Sequence, residues 1–310
     1  MNPAVKNKGF FREIAVNKYM YLMALPGLLW FFVFAYLPLV GIIIAFEDFH
    51  PLRGLLHSKF VGFDNFKFFF TSLDWKRVTV NTLFLNTLFI GFQIIFAVAI
   101  AVMITEINYR MFKRFTQSLV ILPHFISWTV VAMFLTAFLS TDTGLINRLL
   151  MSIGLQSVSF YNTAGVWPAI LVILRIWKGA GFGSVVYIAT ITGFDQEIYE
   201  AAKIDGASRW KCIVRITLPM LRNTVILLTL FNIGHIFYGD FGMIYAMVGD
   251  NYLLMPATDV IDTFVFRTLR MMGNMGMSAA VGLYQSVVGF ILVIIANGLA
   301  RHLNPESAIF

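Results

Sequence analysis

The sequence predicts an all-α polytopic membrane protein with about six transmembrane helices and both termini in the cytoplasm. One reason is composition, because 59% of the 310 residues are hydrophobic and only 13% are charged, well below the charged fraction of a typical soluble domain. The other is run length, since a bilayer-spanning helix needs about 20 mostly apolar residues. Four runs of 27 to 30 residues carry no Asp, Glu, Lys or Arg, and they are residues 19–46, 78–105, 115–141 and 271–300.

Six spans follow from these runs and from two apolar stretches that a charge interrupts or flanks. The first span is too long for the apolar region of a signal peptide, so we expect it to be retained. Residues 1–18 form a polar lead before the first span, and residues 301–310 form a tail, both cytoplasmic. A single membrane domain, 19–300, holds spans near residues 19–46, 78–105, 115–140, 166–191, 216–238 and 278–300.

Basic residues set the expected orientation. The segments placed inside (1–18, 106–114, 192–215 and 301–310) carry twelve Lys and Arg residues, and the segments placed outside carry eight. This is the positive-inside bias of membrane proteins. The net charge of +7 therefore reflects membrane orientation, and no basic patch interleaved with aromatic residues supports nucleic-acid binding. The single Cys212 excludes an internal disulfide.

A charged segment, residues 197–215, separates the fourth span from the fifth. Residues 197–204 are good helix formers, and Gly206 can close that helix in the left-handed conformation. Residues 207–215 can form a second short helix, and Pro219 suits the first turn of the next element. Such a helix–turn–helix at the cytoplasmic mouth would fit a groove on a partner, whereas the alternative is an ordinary solvated loop.

The spacing in this segment resembles the signature loop of permease subunits in binding-protein-dependent ABC importers. The pattern is Glu-Ala-Ala, three residues, Gly, nine residues, Ile, one residue and Leu-Pro. The stretches LPGLLWFFVFAYLPLVGIIIAF and SAAVGLYQSVVGFILVIIANGLARHL are similar to carbohydrate-importer permeases, in particular those for oligosaccharide and polysaccharide-fragment uptake. The residues that the resemblance assigns to ATPase coupling are Glu200, Ala201, Ala202, Asp205, Gly206, Ile216, Leu218 and Pro219.

This resemblance implies a multi-pass subunit of the bacterial plasma membrane that is not itself an enzyme. The chain has no GxxxxGK[ST] phosphate-binding loop, so ATP and magnesium would bind to a partner. The implied partners are a second related permease, two ATPase subunits and an extracytoplasmic solute-binding protein. ATP hydrolysis would then drive alternating access, in which the chain forms half of a path for an oligosaccharide.

Polar and ionisable residues in the second, fourth and fifth spans are the candidate substrate path, because such groups are costly in lipid and usually face a cavity or a partner. Arg175 and Lys178 lie about one helical turn apart, and two cations would favour an acidic sugar such as a uronic-acid oligomer. Alternatively, they reach the headgroups or pair with Asp240 for structural reasons. The candidate residues are Gln93, Arg175, Trp177, Lys178, Tyr187, Asn232, His235, Tyr238 and Asp240.

Three other functions are alternatives to a carbohydrate ABC permease: an ABC permease for another solute, a secondary transporter and an intramembrane enzyme. The loop motif does not distinguish sugars from other small solutes of ABC importers. An ATP-independent secondary transporter would leave the spacing of residues 200–219 unexplained. An intramembrane enzyme would need a catalytic set at membrane depth, and the sequence contains no HExxH motif. The glycines of KGAGFGS, at positions 179, 181 and 183, are expected to allow close helix packing rather than to bind a nucleotide.

Overall fold

The computed structural model describes Glu13, residues 16–55 and residues 57–303, so most of the predicted lead and residues 304–310 of the predicted tail lie outside it. The described chain is helical apart from loops and one hairpin of β1 (Glu47–Asp48) and β2 (Lys59–Phe60), which confirms the all-α class. The α-helices of the described residues are α1 Lys18–Phe31, α2 Asp64–Thr71, α3 Trp75–Thr105, α4 Arg110–Ile121, α5 Trp128–Leu139, α6 Leu145–Ser152, α7 Trp167–Thr192, α8 Gln196–Ile204, α9 Arg209–Cys212, α10 Leu218–Met220, α11 Arg222–Ile233, α12 Phe241–Val248, α13 Met255–Thr258, α14 Ile261–Met272 and α15 Met275–Leu303.

Four helical segments of the described chain are long and apolar enough to cross a membrane. They are Lys18–Phe46, Trp75–Thr105, Ala164–Thr192 and Met275–Leu299. The first continues from α1 through π-helical and 3₁₀ turns, and Pro26 lies inside it without ending it. Two bent helix pairs raise the total to six if each pair is one span, and the orientation of the spans stays a prediction.

The third predicted span is two helices. Helices α4 and α5 meet at 94°, with a short 3₁₀ turn, Leu122–Phe125, between them. Pro123 weakens the end of α4, since it has no N–H to donate, and the backbone becomes extended at Ile126 and Ser127, where the direction changes. Ser127 then restarts the chain, because its hydroxyl accepts a hydrogen bond from the Val130 N–H at 3.3 Å and caps α5.

Helices α3 and α7 form the central pair, and buried apolar side chains on them pack with α5 and α12. Gly181 of α7 lies against α4, where an added Cβ would be 2.0 Å from the carbonyl oxygen of Val120. Only glycine permits so close an approach. The expectation that a glycine of KGAGFGS allows close helix packing is therefore confirmed at Gly181.

Segment 239–277 is tied to the start of α3 by a buried carboxylate. Asp259, 1% exposed at its side chain, accepts hydrogen bonds from Arg267 at 2.7 Å and from Arg77 at 3.2 Å. Two arginines on separate elements satisfy one buried charge, which is otherwise costly to bury. The contact holds the segment that follows α11 in place against α3.

Candidate functional site

A polar cavity of about 510 Å³ lies between α3, α7, α11 and the start of α12. Its size falls within the range of small-molecule sites. Apolar and aromatic side chains, including Phe89 and Phe231, form much of the wall. Polar side chains that also line it are Asn86, Gln93, Arg175, Asn232, His235, Tyr238 and Asp240.

An ion pair on the wall of this cavity joins α7 to Asp240, the residue that precedes α12. The Arg175 Nη1 donates to Asp240 Oδ2, and neither side chain is fully buried. The other carboxylate oxygen, Asp240 Oδ1, accepts the Met243 N–H at 3.0 Å and so caps α12. The pairing with Asp240 that the sequence left as an alternative for Arg175 is thus present, and it lies on the wall of the cavity.

Lys178 lies beside a second cavity of about 210 Å³, which shares Gln93 and Arg175 with the first. The Lys178 Nζ donates to the His124 carbonyl at 2.7 Å and lies 4.9 Å from the centre of the Trp128 ring. The lysine therefore satisfies a carbonyl at the bend between α4 and α5. A cation over an indole face is also favourable.

The backbone beside the main cavity is not helical over residues 234–240, between α11 and α12. In a membrane, such backbone is tolerated only where it is buried in protein or lines a cavity. The Asn86 side chain of α3 donates to the carbonyls of Ile236 at 2.7 Å and Tyr238 at 3.1 Å. One side-chain amide thus supplies hydrogen bonds to two backbone carbonyls of this non-helical stretch.

Two further side chains, from α14 and α15, complete the support of this loop. Asp262 accepts the Gly239 N–H at 2.6 Å, and Gln285 donates to the Phe237 carbonyl at 2.9 Å. Burial raises the pKa of the Asp262 carboxyl above its ordinary value, and the charge of Asp240 adds to the rise. Sequence reasoning missed Asn86, Asp262 and Gln285, although an amide within an apolar run was a signal for the first and third.

The structure brings seven of the nine candidate path residues to one or both cavities. It places the other two elsewhere. Tyr187 is buried in the core between α3 and α7, and Trp177 is exposed and lines neither cavity. Asn232 donates to the Leu228 carbonyl of its own helix at 2.7 Å. Among the described residues, no three His, Cys, Asp or Glu side chains group as metal ligands.

The charged segment has the predicted helix–turn–helix shape. Asp195 caps α8, Ser208 caps α9, and Gly206 has a φ of +76° in the turn between them. The second helix does not end at Arg215 as expected, because π-helical turns continue it into α10. Both helices expose a large apolar side chain, since Ile204 at the end of α8 is 86% exposed and Trp210 of α9 is 72% exposed.

A bundle with a polar cavity, a broken helix beside it and an exposed helix–turn–helix defines a polytopic membrane transport component. The chain belongs to the family of binding-protein-dependent transport system inner membrane components, whose sequence model matches residues 93–305. Members of this family are transport subunits rather than enzymes. The predicted class, a permease subunit of an ABC importer, is therefore confirmed.

Two curated relatives and one solved structure match this chain over nearly its whole length. The chain is 39% identical over 98% of its length to protein LplB of Bacillus subtilis, strain 168, and covers 95% of that protein. It is 34% identical over 97% of its length to the polygalacturonan/rhamnogalacturonan transport system permease protein YteP of the same strain, covering 94% of it. A chain of a bacterial ABC transporter that imports the acidic polysaccharide alginate matches with 34% identity and a TM-score of 0.85, with 95% of this chain and 99% of that chain covered.

Proposed function

We propose that this chain forms one half of the translocation path of an ABC importer for an acidic oligosaccharide. A second related permease would form the other half, two ATPase subunits would supply the energy, and an extracytoplasmic solute-binding protein would deliver the substrate. The observation that carries the proposal is the cavity of about 510 Å³ with Arg175 on its wall and Lys178 just beyond it.

The lining chemistry supports a carbohydrate as the solute. Sugar hydroxyls need hydrogen-bond donors and acceptors, which Gln93, Asn232 and His235 offer, and sugar rings stack on aromatic faces such as that of Tyr238. A guanidinium pairs with a carboxylate through charge-assisted hydrogen bonds, which are about twice as strong as neutral ones. The names of relatives point the same way, because one permease is named for polygalacturonan and one matching transporter imports alginate.

The exposed helix–turn–helix supports coupling to an ATPase. The large apolar side chains of Ile204 and Trp210 are exposed in the isolated chain. Such side chains suit the core of a protein–protein interface. An ATPase can drive the bundle between two states only if its contacts with this segment differ between them. The charged segment lies between α7 and α11 in the chain. A change in its contacts with the ATPase can therefore move both helices, which form walls of the cavity.

Replacing Arg175 and Lys178 with Gln should lower uptake of a uronic-acid oligosaccharide by at least about tenfold, because one hydrogen bond to a charged group contributes about 1.5–3 kcal/mol and each 1.4 kcal/mol is a factor of ten. Uptake of a neutral oligosaccharide of the same length should fall much less. Radiolabelled uptake into vesicles that contain the whole importer measures both. Arg270→Gln is the matched control, since that arginine sits in an exposed ion pair outside both cavities. Equal loss for both sugars would contradict the acidic-substrate proposal.

A tagged chain, gently solubilised from its native host, should bring down a P-loop ATPase and a second polytopic protein with its own Glu-Ala-Ala loop. Mass spectrometry of the purified complex identifies both. The physical reason for ATPase binding is the pair of exposed apolar side chains, Ile204 and Trp210, in the charged segment 197–215, since such side chains suit an interface with a partner. Purification as a homo-oligomer that still transports in vesicles without ATP would support a secondary transporter instead.

A further inference from the structure

We infer that Asp240 acts as an internal substitute for the carboxylate of the substrate. It holds Arg175 while the cavity is empty and gives that arginine up to an acidic sugar. The inference deepens the proposed function and rests on it, because it names the residue exchange by which an acidic oligosaccharide would be recognised.

Arg175 has donors to spare. A guanidinium carries five N–H donors, and the ion pair with Asp240 uses Nη1. The Nε of Arg175 is buried and has no hydrogen-bond partner within the described residues. The Arg175 side chain is nevertheless 35% exposed and lines the cavity, so an incoming carboxylate can reach the guanidinium and accept hydrogen bonds from donors that Asp240 leaves free.

Asp240 keeps a partner when Arg175 leaves it. Its Oδ1 accepts the Met243 N–H at 3.0 Å, at the N-terminus of α12. The N-terminus of a helix stabilises a negative charge. The carboxylate would therefore not become an unpaired charge in the cavity, which makes the exchange of partners feasible at modest cost.

The pair also makes the empty wall neutral. Arg175 and Asp240 cancel each other on the lining of the main cavity, and Lys178 is held against the His124 carbonyl and the Trp128 ring. A neutral sugar hydroxyl is a weaker acceptor than a carboxylate, so it does not displace Asp240. An acidic sugar does, and it binds Arg175 at the expense of the ion pair with Asp240.

Asp240→Asn is the decisive variant, because Asn caps a helix about as well as Asp but does not pair ionically with Arg175. The purified importer complex, without its binding protein, is titrated with a uronic-acid trisaccharide, and its thermal stabilisation is followed. We expect the midpoint concentration to fall about tenfold in this variant, a typical size for competition between coupled equilibria. The midpoint for an uncharged trisaccharide should not change. Asp250→Asn is the matched control, since its pair with Arg270 at 3.2 Å is exposed and outside both cavities.

Further outcomes separate this exchange from a structural ion pair. A structural role predicts that Asp240→Asn lowers the melting temperature and that the double variant Arg175→Gln with Asp240→Asn restores it, with no acid-specific change. An unchanged or raised midpoint, or the absence of any acid-specific stabilisation, would also overturn the inference. Failure of the wild-type importer to take up uronic-acid oligosaccharides in vesicles would instead overturn the proposed function.

Discussion

Replacing Gly181 with Ala should lower both the melting temperature of the chain and its yield from membranes. The added Cβ would lie 2.0 Å from the carbonyl oxygen and 2.6 Å from the carbonyl carbon of Val120, both of them backbone atoms of α4. No rotamer change relieves that contact, so α4 and α7 must move apart. Overpacking of a core costs about 1–3 kcal/mol and sometimes more, a large part of the marginal stability of a folded protein. We expect the upper end of that range.

Gly183→Ala is the matched control for this prediction. It adds the same methyl group to the same helix, two residues away, and gains the same helix propensity. Its Cβ would lie 3.5 Å from the Cβ of Ala97, an ordinary contact. Thermal unfolding of the two variants in detergent, with the yield from membranes, measures the difference. Similar melting temperatures would show that α4 and α7 do not pack as closely as the structure has them.

Features that depend on nearby residues were predictable from the sequence. Run length alone placed three of the four long apolar helical segments, Lys18–Phe46, Trp75–Thr105 and Met275–Leu299, since each span needs its own stretch of apolar residues and no partner. The turn at Gly206 also followed from local chemistry, because a left-handed residue after a helix favours glycine. Its φ of +76° agrees with that reasoning.

Features that depend on residues distant in the sequence could not be predicted from it. The loop at residues 234–240 exists because Asn86 and Gln285 supply donors to its carbonyls, and these side chains are far away in the sequence. The periodicity of an apolar helix also does not tell which face meets the cavity. Tyr187 was therefore expected on the path, although the packing of α7 against α3 buries it.

If the charged segment 197–215 couples the chain to the ATPase, replacing Gly206 with Val should uncouple ATP hydrolysis from transport. Gly206 has a φ of +76°, and no atom lies within 4 Å of where its Cβ would be, so the obstacle is the backbone conformation alone. A left-handed conformation costs an ordinary residue about 1–2 kcal/mol, and a β-branched side chain is an outlier there. The turn between α8 and α9 would open, which changes the placement of α8, with its exposed Ile204, relative to α9, with its exposed Trp210.

Gly206→Asn separates conformation from size, because Asn has a side chain comparable to Val and yet visits the left-handed region readily. We expect the Asn variant to retain ATPase subunits and transport nearly as the wild type does. The Val variant should lose at least tenfold in substrate uptake, which corresponds to about 1.4 kcal/mol of lost coupling. Co-purified ATPase and uptake per ATP hydrolysed are the measurements. If Asn fails as badly as Val, contact space at this turn is what matters, and the left-handed conformation is not what places the coupling segment against its partner.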